Sequence, residues 1–295
     1  MRIGIEINGV SYTPESYAYS EYLESKGFNV QLAGCDSLSN NNDINILYAG
    51  VYPFWKGSSS VVEVHEYQSL SVPPFARLKD VLKCTVNRRP HGRIFLNDIV
   101  RSQLSFPSNV PSIMRDMGVD LGFFDVKRSS EPAYDVLYCG SVAGRKGLVE
   151  SIYSIAKLGL KVLVVGSVET STRLYLEGVG VEFTGRLERR ELFHVYSECR
   201  YGLNFTPDEY PYNIQTSTKT LEYLASGMGL ISNRYKWSEE FCRMHAVDVL
   251  WMDDLLAGSP ALDEREGFRL NRDEYSWNAI LDNSGFLNFL KMLLR

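Results

Sequence analysis

The sequence predicts an α/β protein of two halves, each built around a parallel sheet, and three observations carry that expectation. Short apolar runs alternate with longer amphipathic segments almost from end to end, which is how successive βα units read. The 295 residues hold one large or two medium domains, each able to bury its own core. A polar, proline-terminated stretch, Asp125-Val126-Lys127-Arg128-Ser129-Ser130-Glu131-Pro132, interrupts the alternation and is the best linker candidate. The expected division is therefore 1–126, 127–274 and a terminal segment, 275–295, packing back on the first half.

In the first half, strands are expected near 2–7, 28–33, 44–49, 61–65, 93–96 and 110–114, with helices near 14–26, 74–86 and 97–105. Lys26-Gly27 supplies the glycine that commonly closes a helix. Beyond the linker, strands are expected at Val136–Cys139, Lys161–Val165, Val181–Phe183, Tyr201–Phe205 and Val247–Trp251. A helix begins near 147, a further βα unit covers Gly229–Met244, and 273–294 reads as one amphipathic helix.

A composition of 44% hydrophobic and 23% charged residues is that of an ordinary globular protein, and a net charge of -5 gives no reason to expect nucleic acid as a partner. The five cysteines are scattered and never form C-x-x-C, which argues for reduced thiols in a cytoplasm and against a disulfide framework or zinc site. Arg2–Ile7 is strand-like with no basic-apolar-small leader before it, and no apolar run approaches the roughly 18 to 20 residues of a membrane span. A cytoplasmic location is expected. Gly140, Gly144 and Gly147 do not have the spacing of G-x-G-x-x-G, and Arg145-Lys146-Gly147 is not a P-loop, so dinucleotide oxidoreductases and P-loop kinases lose ground.

The stretch Pro207–Gly227 is the most informative. It leaves an apolar strand, crosses a polar loop, and enters a short helix closed by Gly227. Thr216, Ser217 and Thr218 stand where the helix should begin, followed by Lys219 and Glu222 on one helix face. Unpaired N–H groups and the positive end of the backbone dipole suit an anion there, above all a phosphate. The plain alternative is a strand-loop-helix unit with ordinary caps and a surface ion pair.

The order of short motifs resembles the family-4 ("group 1") glycosyltransferases of the GT-B fold, a large bacterial group. Met117-Gly118-Val119-Asp120 with Phe123-Phe124 is similar to the turn before that family's interdomain linker. Tyr138-Cys139-Gly140-Ser141 leading to Lys146-Gly147-Leu148, then Val181–Leu187, Glu191-Leu192 with Tyr196, and Tyr275-Ser276-Trp277 match further motifs in order. Lys219-Thr220-Leu221-Glu222-Tyr223-Leu224-Ala225-Ser226-Gly227 resembles the donor helix K-x-x-E-y-l-A-x-G. The resemblance covers the second half nearly throughout and the first half thinly.

It implies two Rossmann-like domains with parallel sheets facing across a cleft. It also implies a nucleotide-sugar donor and retention at the anomeric carbon, with no cofactor and no metal. The acceptor would be a glycan or a lipid-linked molecule, in polysaccharide biosynthesis. Without a metal, fixed cations and helix N–H groups must stabilise the leaving diphosphate. Arg145, Lys146 and Lys219, with the Thr216–Thr218 helix start, are the available parts, beside Gly140 and Ser141. Glu222 would hold the ribose hydroxyls, and the backbone at Arg186 and Leu187 would edge the base. In the first half, Gly9 would line the cleft, and His65, read as ending a buried strand, would face the sugar; a structural histidine is the equal alternative.

Two departures from the pattern fall on the donor contacts. Ile214 stands where the first of two donor-site glutamates is expected, leaving Asp208, Glu209 or the amides of Asn213 and Gln215 to replace it. Ser141 stands in place of an arginine, for which Arg145 could compensate. Another GT-B enzyme, such as a nucleotide-sugar epimerase, and a non-catalytic binding subunit are the alternatives. Finally, 77–101 holds seven Lys/Arg against two Asp, interleaved with Phe75, Leu78, Val81, Leu82 and Val86 at helical spacing. Such a helix can lie peripherally on an anionic membrane; a packed helix with a solvated basic face is the slightly preferred reading.

Overall fold

The computed structural model describes residues 1–7, 13–48, 50–56, 61–106, 109–258 and 268–295. The chain forms two compact units. The first comprises Met1–Gly118 with Tyr275–Arg295, the second Val119–Glu274.

The first unit contains strands β1 (Arg2–Glu6), β2 (Asn29–Ala33), β3 (Ile44–Tyr48), β4 (Val62–Tyr67), β5 (Gly92–Phe95) and β6 (Ser112–Met114). They form one parallel sheet in the order β2-β1-β3-β4-β5-β6. Ile3, Ile5, Ile44, Ile46, Val64 and Ile94 are fully buried. Each such side chain contributes about 1.5 to 3 kcal/mol relative to exposure. Helix α1 (Pro14–Ser25) opens on proline, whose fixed φ suits a first helical position. Helices α2 (Ala76–Val86) and α3 (Asp98–Gln103) follow β4 and β5.

Helix α2 corrects the preferred sequence reading. It leaves most of its apolar residues unpacked: Leu78, Val81, Leu82 and the preceding Phe75 are 43–75% exposed, Val86 is partly buried, and the buried residue is Asp80. The Asp80 carboxylate accepts a hydrogen bond from the Ser71 amide at 2.9 Å. Asp80 thus faces inward, while Leu78, Val81 and Leu82, like Arg77 and Lys79, face solvent.

The unit also buries an ionic cluster. Arg115 pairs with Glu66, both side chains being fully buried. Its guanidinium donates to the Tyr19 hydroxyl at 2.6 Å and lies over the Tyr19 and Trp277 rings at 5.3 and 5.1 Å. Burial alone would lower the Arg115 pKa, but Glu66 and its neighbours outweigh burial and raise it.

The terminal segment is not the single helix expected. It forms α11 (Arg272–Tyr275), α12 (Trp277–Asn283) and α13 (Phe286–Met292). Ser276 caps α12 through the Ala279 amide, and Gly285 adopts a left-handed φ of 69° that ends the run. Tyr19 packs on Phe286 with ring centroids 4.6 Å apart, and Gly118 leaves room for the Trp277 ring, which a Cβ there would meet at 2.6 Å.

The second unit contains β7 (Tyr134–Cys139), β8 (Val162–Val165), β9 (Glu182–Gly185), β10 (Cys199–Asn204), β11 (Gly229–Ser232) and β12 (Val249–Trp251). All are parallel, in the order β12-β11-β10-β7-β8-β9. Helices α4 (Leu121–Phe124), α5 (Leu148–Lys157), α6 (Thr170–Glu177), α7 (Arg189–Ser197), α8 (Thr218–Ala225), α9 (Lys236–Met244) and α10 (Met252–Leu256) complete it. The contacts divide the chain at Gly118–Val119, so the expected 125–132 linker lies inside the second unit. Arg128 anchors it by donating to the Tyr196 and Arg200 carbonyls, and the Ser129 amide donates to Ser197 O at 3.1 Å.

Candidate functional site: a cationic pocket at the sheet's switch point

In the second sheet β7 and β10 are neighbours, and the chain winds outward from them in opposite directions. Ligands of such sheets bind outside the carboxyl ends of the strands at this reversal. Arg145, in the turn after β7, donates from Nη1 to the Phe205 carbonyl just beyond β10 at 3.1 Å, tying the two ends together.

The strand ends are packed glycine on glycine. Gly140 N donates to Val165 O at 2.7 Å, and Gly166 N donates to Gly185 O at 2.8 Å. A Cβ on Gly166 would lie 2.2 Å from Gly140 O, and φ at Gly166 is +139°. Gly166→Ala is therefore expected to push the 140–147 turn out of place. The expected cost is roughly 1–3 kcal/mol in thermal unfolding; an unchanged variant would show that the turn tolerates the displacement.

Lys219, on the first turn of α8, reaches this position. Its ammonium lies 5.7 Å from the Tyr138 ring centroid, and its stem runs where a Cβ on Gly140 would be 2.8 Å away. Burial pulls the Lys219 pKa down to about 8, and the like charge of Arg145 adds to the shift. Among the described residues, no carboxylate forms an ion pair with Lys219, Arg145 or Lys146. Lys219 and Arg145 thus bring two like charges together at the switch point, with Glu222 the carboxylate that acts on Lys219 from a distance.

Glu222 lies one turn further along α8. Burial pushes its carboxyl up to about 7 against the opposing charges of Arg189 and Lys219, and Tyr196 donates a hydrogen bond to it at 3.2 Å. Arg189 also pairs with Asp120 at 2.7 Å.

Ser217 is the N-cap of α8, accepting from the Thr220 amide at 3.3 Å and donating to Asn204 Oδ1 at 2.8 Å. The Asn204 amide donates in turn to Ser232 and Tyr235, so the helix start is fastened to the end of β10. Thr216 precedes the cap, and Thr218 is the first helical residue. Asn213 donates to Asp208 at 2.9 Å. Its Oδ1, the Gln215 Nε2 and the Thr220 Oγ1 are buried with no hydrogen-bond partner among the described residues. Unpaired buried polar atoms are uncommon in folded proteins, and three gather in the segment 213–220.

Lys146 is exposed. With Arg145, Gly144 and Val142 it lines a cavity of about 420 Å³ bounded on the other side by Val168, Glu169 and Thr172. Ser141 is exposed, and its carbonyl accepts from the Tyr138 hydroxyl at 3.0 Å. Arg186 and Leu187 follow the last residue of β9, the former exposed and the latter partly buried.

Gly140, Arg145, Lys219 and Glu222 are thus brought together within the second unit; His65 lies in the first unit, but not at the strand end where sequence reasoning put it. β4 continues through Glu66 and Tyr67, so the histidine does not end the strand. Its ring is 0% exposed, packed near Tyr52 and Tyr67, and neither ring nitrogen has a hydrogen-bond partner among the described residues. Burial lowers its pKa, with Glu63 opposing. Gly9 lies outside the described residues.

Tyr138, Arg189 and Thr220, which neighbour Lys219 or Glu222, were not singled out as candidate site residues by sequence reasoning. An aromatic in a buried strand, the middle of Glu188-Arg189-Arg190-Glu191 and a helix-start threonine carry no signal distinguishing them from structural residues. Among the described residues, no group of three or more His, Cys, Asp or Glu gathers as a metal site would require.

Residues 145–254 match a family model described as glycosyl transferase-like. No curated protein matches the sequence. Solved structures resemble the whole chain. AviGT4, a glycosyltransferase involved in avilamycin A biosynthesis, superposes with a TM-score of 0.62 at 13% identity, covering 99% of this chain and 98% of its own. Anabaena HepE in complex with UDP-glucose gives 0.60 at 10% identity, with the same coverage of both chains. A variant of T4 phage BGT in complex with UDP-glucose gives 0.58 at 14%, again covering 99% and 98%. Two six-stranded parallel sheets, ordered as described and matched over nearly the full length of these enzymes, identify the architecture of this chain as the GT-B glycosyltransferase fold.

Proposed function

We propose that this chain is a retaining glycosyltransferase that moves a sugar from a nucleoside-diphosphate donor to a glycan or lipid-linked acceptor without a metal. The observation that carries the reading is the pair Arg145–Lys219, two adjacent, partly buried cations at the switch point with no carboxylate paired to either among the described residues. Breaking the sugar–phosphate bond leaves a diphosphate whose added charge needs stabilisation that water cannot supply in a partly buried site. The two cations supply it, with Lys146 at the adjoining cavity. Glu222 accepts hydrogen bonds from the ribose. The unpaired Asn213, Gln215 and Thr220 atoms are available to sugar hydroxyls in place of the glutamate that Ile214 displaces. Arg186 and Leu187 edge the base. Retention rests on the likeness of Lys219–Gly227 to the donor helix of the family-4 enzymes. The complexes of HepE and T4 phage BGT with UDP-glucose make uridine donors the first to test.

The test is release of nucleoside diphosphate from a panel of nucleotide-sugars, with and without glycan and lipid-linked acceptors. Acceptor-dependent release supports transfer, acceptor-independent conversion of the donor indicates an epimerase, and donor binding without turnover indicates a binding subunit. Glu222→Ala and Lys146→Ala are each expected to weaken donor binding about 10- to 100-fold while leaving the fold intact, the range for hydrogen bonds to charged groups. Unchanged affinity in both variants would remove the site assignment.

A further inference from the structure

We infer that the outward face of helix α2 is a docking surface for an anionic lipid bilayer. This inference goes beyond the transferase reading and does not depend on it.

Leu78, Val81 and Leu82 stand at i, i+3 and i+4 on one face of the helix, and the exposed N-cap residue Phe75, with a left-handed φ of 62°, precedes them. A surface helix ordinarily turns such a stripe to the core. Here it points to solvent, its residues and Phe75 being 43–75% exposed. The inversion is built in: the Ser71 amide bonds the Asp80 carboxylate, and Lys83 sits 3.9 Å from the same carboxylate.

The stripe is extended by a second exposed apolar element. Phe54 and Trp55, in the short 3-10 turn Phe54–Lys56, are 64% and 65% exposed and touch each other edge to face at 5.0 Å. The chain beside them is fastened to the end of α2. Pro53 bridges Asn87, the Arg88 amide donates to Tyr52 O, and the Tyr52 amide donates to Asn87 Oδ1, the last two at 2.8 Å. Aromatic side chains with an apolar body and a polar edge favour the headgroup boundary of a bilayer.

Charge selects the occupant. Between residues 69 and 97 the sole acidic residue is Asp80, which is buried, against Arg77, Lys79, Lys83, Arg88, Arg89 and Arg93. Arg88 is engaged by Glu63 and Arg93 is buried, whereas Arg77, Lys79 and Arg89 are exposed. In a chain of net charge -5, this concentration of cations beside exposed apolar residues complements a negatively charged lipid surface. No helix among the described residues is long and apolar enough to cross a membrane, so the contact is peripheral.

The test is co-sedimentation of the full chain with vesicles of phosphatidylcholine alone and of phosphatidylcholine with phosphatidylglycerol. The expected result is binding to the anionic vesicles only, weakened by salt. Leu78→Glu with Val81→Glu should reduce it at least tenfold, and Arg77→Gln with Arg89→Gln severalfold. The altered side chains are exposed, so circular dichroism and melting temperature should not move. No binding to anionic vesicles would overturn the proposal. So would binding that survives the Leu78/Val81 double substitution. Concentration-dependent dimerisation abolished by that double substitution, without lipid binding, would assign the face to a second copy of this chain and overturn the proposal as well.

Discussion

Lys219→Met should reduce turnover of the nucleotide-sugar donor by about 10² to 10³, the range for losing one preorganised contact to a developing oxyanion. It should do so without lowering the melting temperature. The ammonium titrates near 8 in the folded protein against an ordinary value of 10.5, so the fold opposes its charged form. Below about pH 8 both folded and unfolded chains carry the proton, and the full penalty stands. Between 8 and 10.5 the unfolded chain binds more protons than the folded one, so stability rises with pH there. A methionine of similar length removes the penalty at neutral pH. The same titration governs binding. Nucleoside-diphosphate affinity should fall as pH rises through about 8, when Lys219 loses its charge. It should also fall below about 7, when Glu222 is protonated and accepts fewer hydrogen bonds. Because the groups are neighbours, the two limbs belong to the pair. Calorimetry at pH 8 in two buffers of different ionisation enthalpy should detect proton uptake on binding. A pH-independent affinity, or a Lys219→Met variant that turns over normally but melts early, would make this lysine a structural residue.

Arg115→Met should strongly destabilise the first unit. It leaves the Glu66 carboxylate buried without its partner and the Tyr19 hydroxyl without its donor. Breaking such a pair from one side costs about 3–5 kcal/mol. In a unit of this size that lowers the melting temperature by roughly 10 °C. Arg115→Met combined with Glu66→Leu should recover most of the loss, since the second change removes the uncompensated charge rather than adding a contact. Thermal unfolding followed by circular dichroism reads both variants. If the single and double substitutions melt together, the pair does not hold the unit.

How much of this was legible in the sequence depends on the range of the force involved. The alternation of apolar runs located the strands of both sheets, because which residues leave water is decided locally by side-chain chemistry. The spacing of Lys219 and Glu222 put them on one helix face before any coordinates, because helical pitch is a local property. The glycines of the turn after β7 were visible as residues, but not that Gly140 carries the Lys219 stem or that Gly166 lies against its carbonyl. The terminal helix was read as continuous because its apolar period runs on across Gly285. A single glycine lowers helix propensity by only about 1 kcal/mol, so its left-handed φ of 69° and the packing of Phe286 on Tyr19 were not legible in the pattern.

The sequence by itself determined the class of the fold, the positions of most strands, and the cations and carboxylate available for a diphosphate-binding site. Tertiary structure alone decided the order of the strands, and with it that the ends of β7 and β10 stand side by side to bring Arg145 to Phe205 and Lys219 to Gly140. It also decided that His65 is sealed in the first core and that α2 turns its apolar stripe to solvent. The reason is physical. Which element covers a given face, and therefore which charges lose their water, is settled by contacts between residues far apart in the chain.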